Sequence, residues 1–177
     1  CFTFTIPLQA GSEAQLLEQR DVTQTDEGSK LRRYAAKVLL VEDNPVNQDV
    51  AKGTLELFGC QVVVANNGQE GVDAYLRASF DLVLMDFSMP VMDGLAATRR
   101  IREFEQATGL AHRPVIALTA HAVAGIQQQG VDAGMDDYVT KPFSIPQIGS
   151  ILQRWVPDTA YEVECTATQP AVVQPVA

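Results

Sequence analysis

The residues that could do chemistry together in this chain stand at one recurring place, the point where a short apolar run gives way to a turn. Glu42 and Asp43 follow Val38-Leu39-Leu40-Val41, and Asp86 ends Leu82-Val83-Leu84-Met85. Thr119 ends Val115-Ile116-Ala117-Leu118, and Lys141 comes just after Asp137-Tyr138-Val139-Thr140. Carboxylates gathered in one crevice repel and raise one another's pKa unless a cation offsets the charge. Oxygen ligands with no His or Cys nearby select Mg²⁺ or Mn²⁺. A hydroxyl and an ammonium beside such a metal suit a phosphoryl group, whose oxygens need positive charge and hydrogen-bond donors. The nucleophile is then a carboxylate, and Asp86 would form an acyl phosphate. Taken singly each residue has a plainer reading. Glu42 or Asp43 caps a helix, Lys141 is a solvated charge and Tyr138 is a core aromatic with a polar tip. Their joint arrival at strand ends is what points to a site.

That arrival depends on the elements carrying them. The run ending at Asp86 is bounded by Ser79-Phe80-Asp81 before it and by Met89-Pro90 and Asp93-Gly94 after it, which reads as a buried parallel strand. From Lys37 onward, strand and helix patterns alternate five times. Asp43 or Asn44 can cap the first helix, with Pro45 in its first turn, Ala51, Leu55 and Phe58 on one face and Gly59 as its stop. Gln61 to Ala65 is the second strand, and the helix after Asn66-Asn67-Gly68 turns Val72, Tyr75 and Leu76 to the core. Ala97, Ile101 and Phe104 mark the third helix. Gly125 and Gly130 weaken the fourth by about 1 kcal/mol each relative to alanine. Ile145, Ile148, Leu152 and Trp155 form the core face of the last. Consecutive βα units of this kind require right-handed crossovers and a doubly wound five-stranded parallel sheet, an α/β fold with helices on both faces. Its functional crevice lies at the carboxyl ends of the strands. This places the domain at residues 37–156, after a linker over 9–36 and before a disordered tail or linker over 157–177. Cys1 to Leu8 alternates Phe2, Phe4 and Ile6 with Thr3 and Thr5, the pattern of a half-buried strand.

The balance of 22 acidic against 13 basic residues, net −9, leaves no basic surface for nucleic acid or anionic lipid. No run approaches the roughly 18 apolar residues of a membrane span. Cys1, Cys60 and Cys165 are an odd number without metal spacing, read as reduced thiols in a cytoplasmic setting. A first residue other than methionine suggests a piece of a longer protein.

Four motifs resemble the receiver domain of two-component signalling: Val41-Glu42-Asp43-Asn44, Leu84 to Gly94, Ala117-Leu118-Thr119-Ala120, and Asp137-Tyr138-Val139-Thr140-Lys141-Pro142-Phe143. The resemblance covers residues 37–156 and implies a flavodoxin-like (βα)5 fold. It implies Asp86 as phosphoacceptor, with Mg²⁺ (or Mn²⁺) held by Asp43, Glu42 through water, Asp86 and the Ser88 backbone carbonyl. It also implies Thr119 and Lys141 as phosphoryl contacts, Tyr138 as the switch aromatic and a cis Lys141-Pro142 bond. Ser88 and His121 fall at the family's variable positions near the phosphoryl group. Cys1 to Leu8 resembles the last strand of a histidine-kinase ATP-binding domain, so the parent reads as a hybrid sensor histidine kinase, open to anchoring at the inner membrane. The expected partners are a kinase phosphohistidine domain and a histidine phosphotransfer domain, docking on Val46, Asn47, Val50, Pro142 and Phe143. The fragment lacks the glycine motifs of a kinase, and neither His112 nor His121 sits as a phosphohistidine would. An aspartate-based phosphatase would need a second acid at Ser88. An FMN carrier would need a Ser/Thr/Gly loop where Glu42-Asp43 stands. A receiver serving only as an interaction module is the remaining alternative.

Overall fold

The computed structural model describes residues 31–120 and 124–163, which belong to one compact unit. Five parallel strands make its main sheet: β2 Lys37–Val41, β3 Gln61–Ala65, β4 Leu82–Asp86, β5 Val115–Thr119 and β6 Asp137–Thr140, in the order β3-β2-β4-β5-β6. β4 and β5 are buried along their whole length, as continuous apolar strands covered on both faces must be. Successive side chains point to opposite faces, so Leu40 joins Ala51, Leu55, Ile148 and Leu152 in one core layer. Leu39 joins Val72, Tyr75, Ala97 and Ile101 in the other.

The helices are α1 Pro45–Leu57, α2 Gly68–Arg77, α3 Gly94–Thr108, α4 Ala124–Ala133 and α5 Ile145–Trp155, and α1, α2, α3 and α5 start where short polar side chains can satisfy their free amides. Asn44 accepts from the Val46 amide, Asn67 from that of Glu70, and Asp93 from that of Ala96. Ser144 and Gln147 close a capping box on α5. The chain leaves β2 for β3 on one side and returns to β4 on the other, so the order reverses between β2 and β4. Ligands of open α/β sheets bind at such a reversal. The register pairs Val41 with Met85, Asp86 with Leu118 and Thr119 with Thr140, which brings all these carboxyl ends level.

Several expectations need correction. Leu76 and Ile145 are 45% and 53% exposed rather than in the core. Gly68, Gly71, Val72 and Tyr75 make the buried row of α2, and Ile151 takes the place expected of Ile145 on α5. Tyr138 is 43% exposed, against its plainer reading as a core aromatic. Residues 31–34 and 160–163 are not linker and tail: β1 Leu31–Tyr34 and β7 Ala160–Val163 form an antiparallel ribbon, with Leu31 opposite Val163 and Tyr34 opposite Ala160. The Tyr34 amide donates to the Phe58 carbonyl and its ring meets Phe58 edge-on at 6.3 Å, tying the ribbon to the end of α1. The strand expected over residues 1–8, and His121, lie outside the described residues.

Candidate functional site

Asp86 is carried to the sheet edge by β4, whose apolar residues leave it no freedom to withdraw. The first turn of α3 closes over it. A Cβ on Gly94 would come within 2.2 Å of the Asp86 carbonyl oxygen, so only glycine permits this approach. Glu42 and Asp43 leave the adjacent β2, and one carboxylate oxygen of each of Glu42, Asp43 and Asp86 lies within 4.8 Å of the others. Glu42 is only 1% exposed and Asp86 7%, while Asp43 is open to solvent. Lys141 Nζ lies 2.8 Å from Asp86 Oδ2 and also donates to Glu42 Oε2. Its backbone is held from behind by the Lys141 amide, which donates to the Thr119 carbonyl at 2.7 Å; the Lys141-Pro142 bond is cis.

The structure thus brings together Glu42, Asp43, Asp86, Thr119 and Lys141. Ser88 is next to them, its amide 3.4 Å from Asp86 Oδ1. Thr119 is buried. Tyr138 stands beside a cavity of about 210 Å³ lined by Phe87, Thr119, Gly130, Met135 and Tyr138 itself. Of the expected docking residues, Val46 and Val50 are 68% and 54% exposed, and Pro142 is exposed. Phe143 is half-buried against the core, and Asn47 is half-buried with its amide turned to Glu42. Sequence spacing missed that inward turn, because one helical step separates Asn47 from the exposed Val46.

Burial pushes the Asp86 carboxyl above its ordinary value, and Glu42 adds to the rise, while the bond and charge of Lys141 and the Ser88 amide oppose it. A folded value above the unfolded one favours folding most below the ordinary carboxylate range, and that contribution is lost as pH rises through the raised value. Metal-free protein should therefore carry a component of stability that falls with rising pH in that window. Denaturant melts of wild type and Asp86→Asn across the window check it; a stability difference independent of pH would contradict the assignment. Three carboxylates facing one ammonium, with only oxygen donors, fit a hard divalent cation.

An acidic crevice with one fixed lysine, at the strand-order reversal of a doubly wound sheet, defines a class of α/β domains whose strand-end carboxylates could hold a cation. Residues 38–153 match the response regulator receiver domain, and the chain belongs to that family. The chain is 41% identical over 142 residues to the sensor protein GacS of Pseudomonas syringae pv. syringae, covering 80% of this chain but 16% of GacS. The receiver domain of sensor histidine kinase PA1611 from Pseudomonas aeruginosa PAO1, solved with magnesium in its active-site cleft, is 42% identical. It superposes with a TM-score of 0.63, covering 70% of this chain and 98% of that one. The receiver domain in the Saccharomyces cerevisiae complex of Ypd1 with Ssk1 has a TM-score of 0.67 at 30% identity, covering 70% and 90%. Related sequences include hybrid histidine kinases, and the chain spans about a sixth or less of the curated relatives GacS and hybrid kinase K. Among the described residues no helix is long and apolar enough to cross a membrane.

Proposed function

We propose that Asp86 accepts a phosphoryl group from a phosphohistidine in a Mg²⁺-dependent step and passes it to a histidine phosphotransfer partner or loses it to water. The observation that carries this reading is the pairing of Lys141 with both Asp86 and Glu42 beside exposed Asp43. It holds the carboxylate nucleophile in place within a site one cation short of neutrality. As phosphorus leaves the histidine nitrogen it bonds to an Asp86 carboxylate oxygen, and the freed nitrogen regains its proton from solvent. Glu42, Asp43, Asp86 and the Ser88 carbonyl would hold the metal, which supplies positive charge for the phosphoryl oxygens. Lys141 turns its ammonium from the bare carboxylate to the phosphoryl group, and the Thr119 hydroxyl donates from the other side. The fragment is a phosphoacceptor, not a kinase; its parent is a hybrid histidine kinase, and its setting is cytoplasmic. Neither nucleic acid nor membrane is a partner of this fragment.

As the Thr119 hydroxyl is drawn in, it vacates space beside the cavity that the exposed Tyr138 ring can enter. α4 borders that cavity through Gln127, Gly130 and Val131 and is the element expected to move. Adding beryllofluoride with Mg²⁺ should shift NMR signals of Thr119, Tyr138 and residues 127–133 more than those of Asp73 to Ala78. The reverse pattern, or the same shifts without Mg²⁺, would refute the coupling.

The partner must bring a histidine in line with Asp86, so it covers the carboxyl edge of the sheet. Val46 and Val50, exposed on α1, offer apolar surface there. Val46→Asp should slow transfer from a phosphohistidine domain about tenfold or more, as for loss of an apolar contact at an interface, while labelling by acetyl phosphate stays within about twofold. If both reactions fell together, the substitution would have damaged the site itself, and if neither fell, the docking surface would lie elsewhere.

A further inference from the structure

The Glu42 carboxylate is almost wholly buried, and its two oxygens have different partners. Lys141 donates to Oε2, while Oε1 accepts from Asn47 Nδ2 at 2.8 Å and, at a long 3.4 Å, from the Asn44 amide. The backbone is anchored separately: the Glu42 amide donates to the Ala65 carbonyl at 3.1 Å, and Gln48 Nε2 donates to the Glu42 carbonyl at 2.6 Å. With the main chain fixed, the freedom left to Glu42 is rotation of its side chain. Among the described residues, only Asn47 has a side-chain donor within hydrogen-bond distance of the oxygen facing away from Lys141.

We propose that Asn47 is a positioning residue for the metal: its amide holds the Glu42 carboxylate in the rotation that keeps Oε2 toward Asp86 and Lys141. This inference rests on the metal-assisted reading of the site above. A carboxylate that has lost this donor can turn about its terminal bond, and its buried Oε1 keeps only the long contact to the Asn44 amide. The correctly turned form on which a cation depends then becomes less populated. Among the described residues the Asn47 side chain hydrogen-bonds to Glu42 and not to Asp86, so its effect on the metal runs through Glu42.

Binding of Mn²⁺ alone to the full chain, followed by the loss of the free-ion EPR signal, tests the inference at a temperature where circular dichroism shows every variant folded. Asn47→Leu, which keeps the shape without the donor, and Asn47→Ala should each bind Mn²⁺ three- to tenfold more weakly than wild type. Asn47→Gln, which keeps an amide on a longer arm, should recover binding to within threefold. Donor-free variants binding within twofold of wild type would overturn the positioning role while leaving the site reading intact. Equal weakening in Gln, Leu and Ala variants would also overturn it, because the amide would then not be the cause. Absence of Mn²⁺ binding by wild type would overturn the metal reading itself, and this inference with it.

Discussion

Asp86→Asn should accept no phosphoryl group. Labelling by acetyl phosphate in Mg²⁺ is expected to fall at least about 10³-fold, the order seen when a covalent nucleophile is removed. Asparagine has the same shape and can still accept a bond from Lys141, so the sheet edge survives. Its amide oxygen is neutral and a poor nucleophile, and one of the charges holding the metal is gone. An intact-mass time course on both proteins reads the result. Equal labelling would mean that a different residue accepts the group.

Lys141→Met is the second large effect, and it separates the lysine's structural work from its chemistry. Lys141 lies between two buried carboxylates, and methionine leaves Glu42 and Asp86 facing each other with no cation between them. Removing one member of a buried charge cluster costs about 3 kcal/mol, so unfolding in EDTA should come at markedly lower denaturant. Mg²⁺ should restore more stability to the variant than it adds to wild type, because it replaces the missing positive charge. Labelling should nevertheless stay about 10²-fold down even in saturating Mg²⁺, since the phosphoryl oxygens lack their ammonium. Equal stability of the two proteins in EDTA would show that Lys141 does not neutralise this pair.

The clustering of the candidate residues was readable in the sequence because Glu42, Asp43, Asp86, Thr119 and Lys141 each sit where an apolar strand pattern stops. Parallel strands in a doubly wound sheet must end at the same edge. The register confirms the consequence, with Val41 level with Met85 and Thr119 level with Thr140. What escaped was of two kinds. Periodicity fixes a helix face but not its margins: Leu76 lies one residue past the buried Tyr75, and Ile145 sits in the exposed first turn of α5, ahead of the buried Ile148. Pairing between distant segments leaves no local mark, and the four-residue strands Leu31–Tyr34 and Ala160–Val163 find each other across the whole domain. The buried Glu105 is another case of the second kind. It is compatible with the core because Tyr75 donates to it at 2.6 Å, Arg102 at 2.7 Å and the Arg113 amide at 2.9 Å; Arg102 is its i,i+3 neighbour on α3, but no spacing rule joins it to Tyr75.

Chemical trapping of the modified side chain tests the central claim most directly. Borohydride reduces an acyl phosphate to the alcohol, expelling phosphate, so an aspartyl phosphate is converted to homoserine at its own position. Wild-type protein labelled by acetyl phosphate in Mg²⁺, reduced and then digested for tandem mass spectrometry, should carry homoserine at position 86 and nowhere else. Omitting Mg²⁺ should abolish the conversion. Homoserine at position 43, or a phosphoryl group that survives borohydride on His112, would contradict the account.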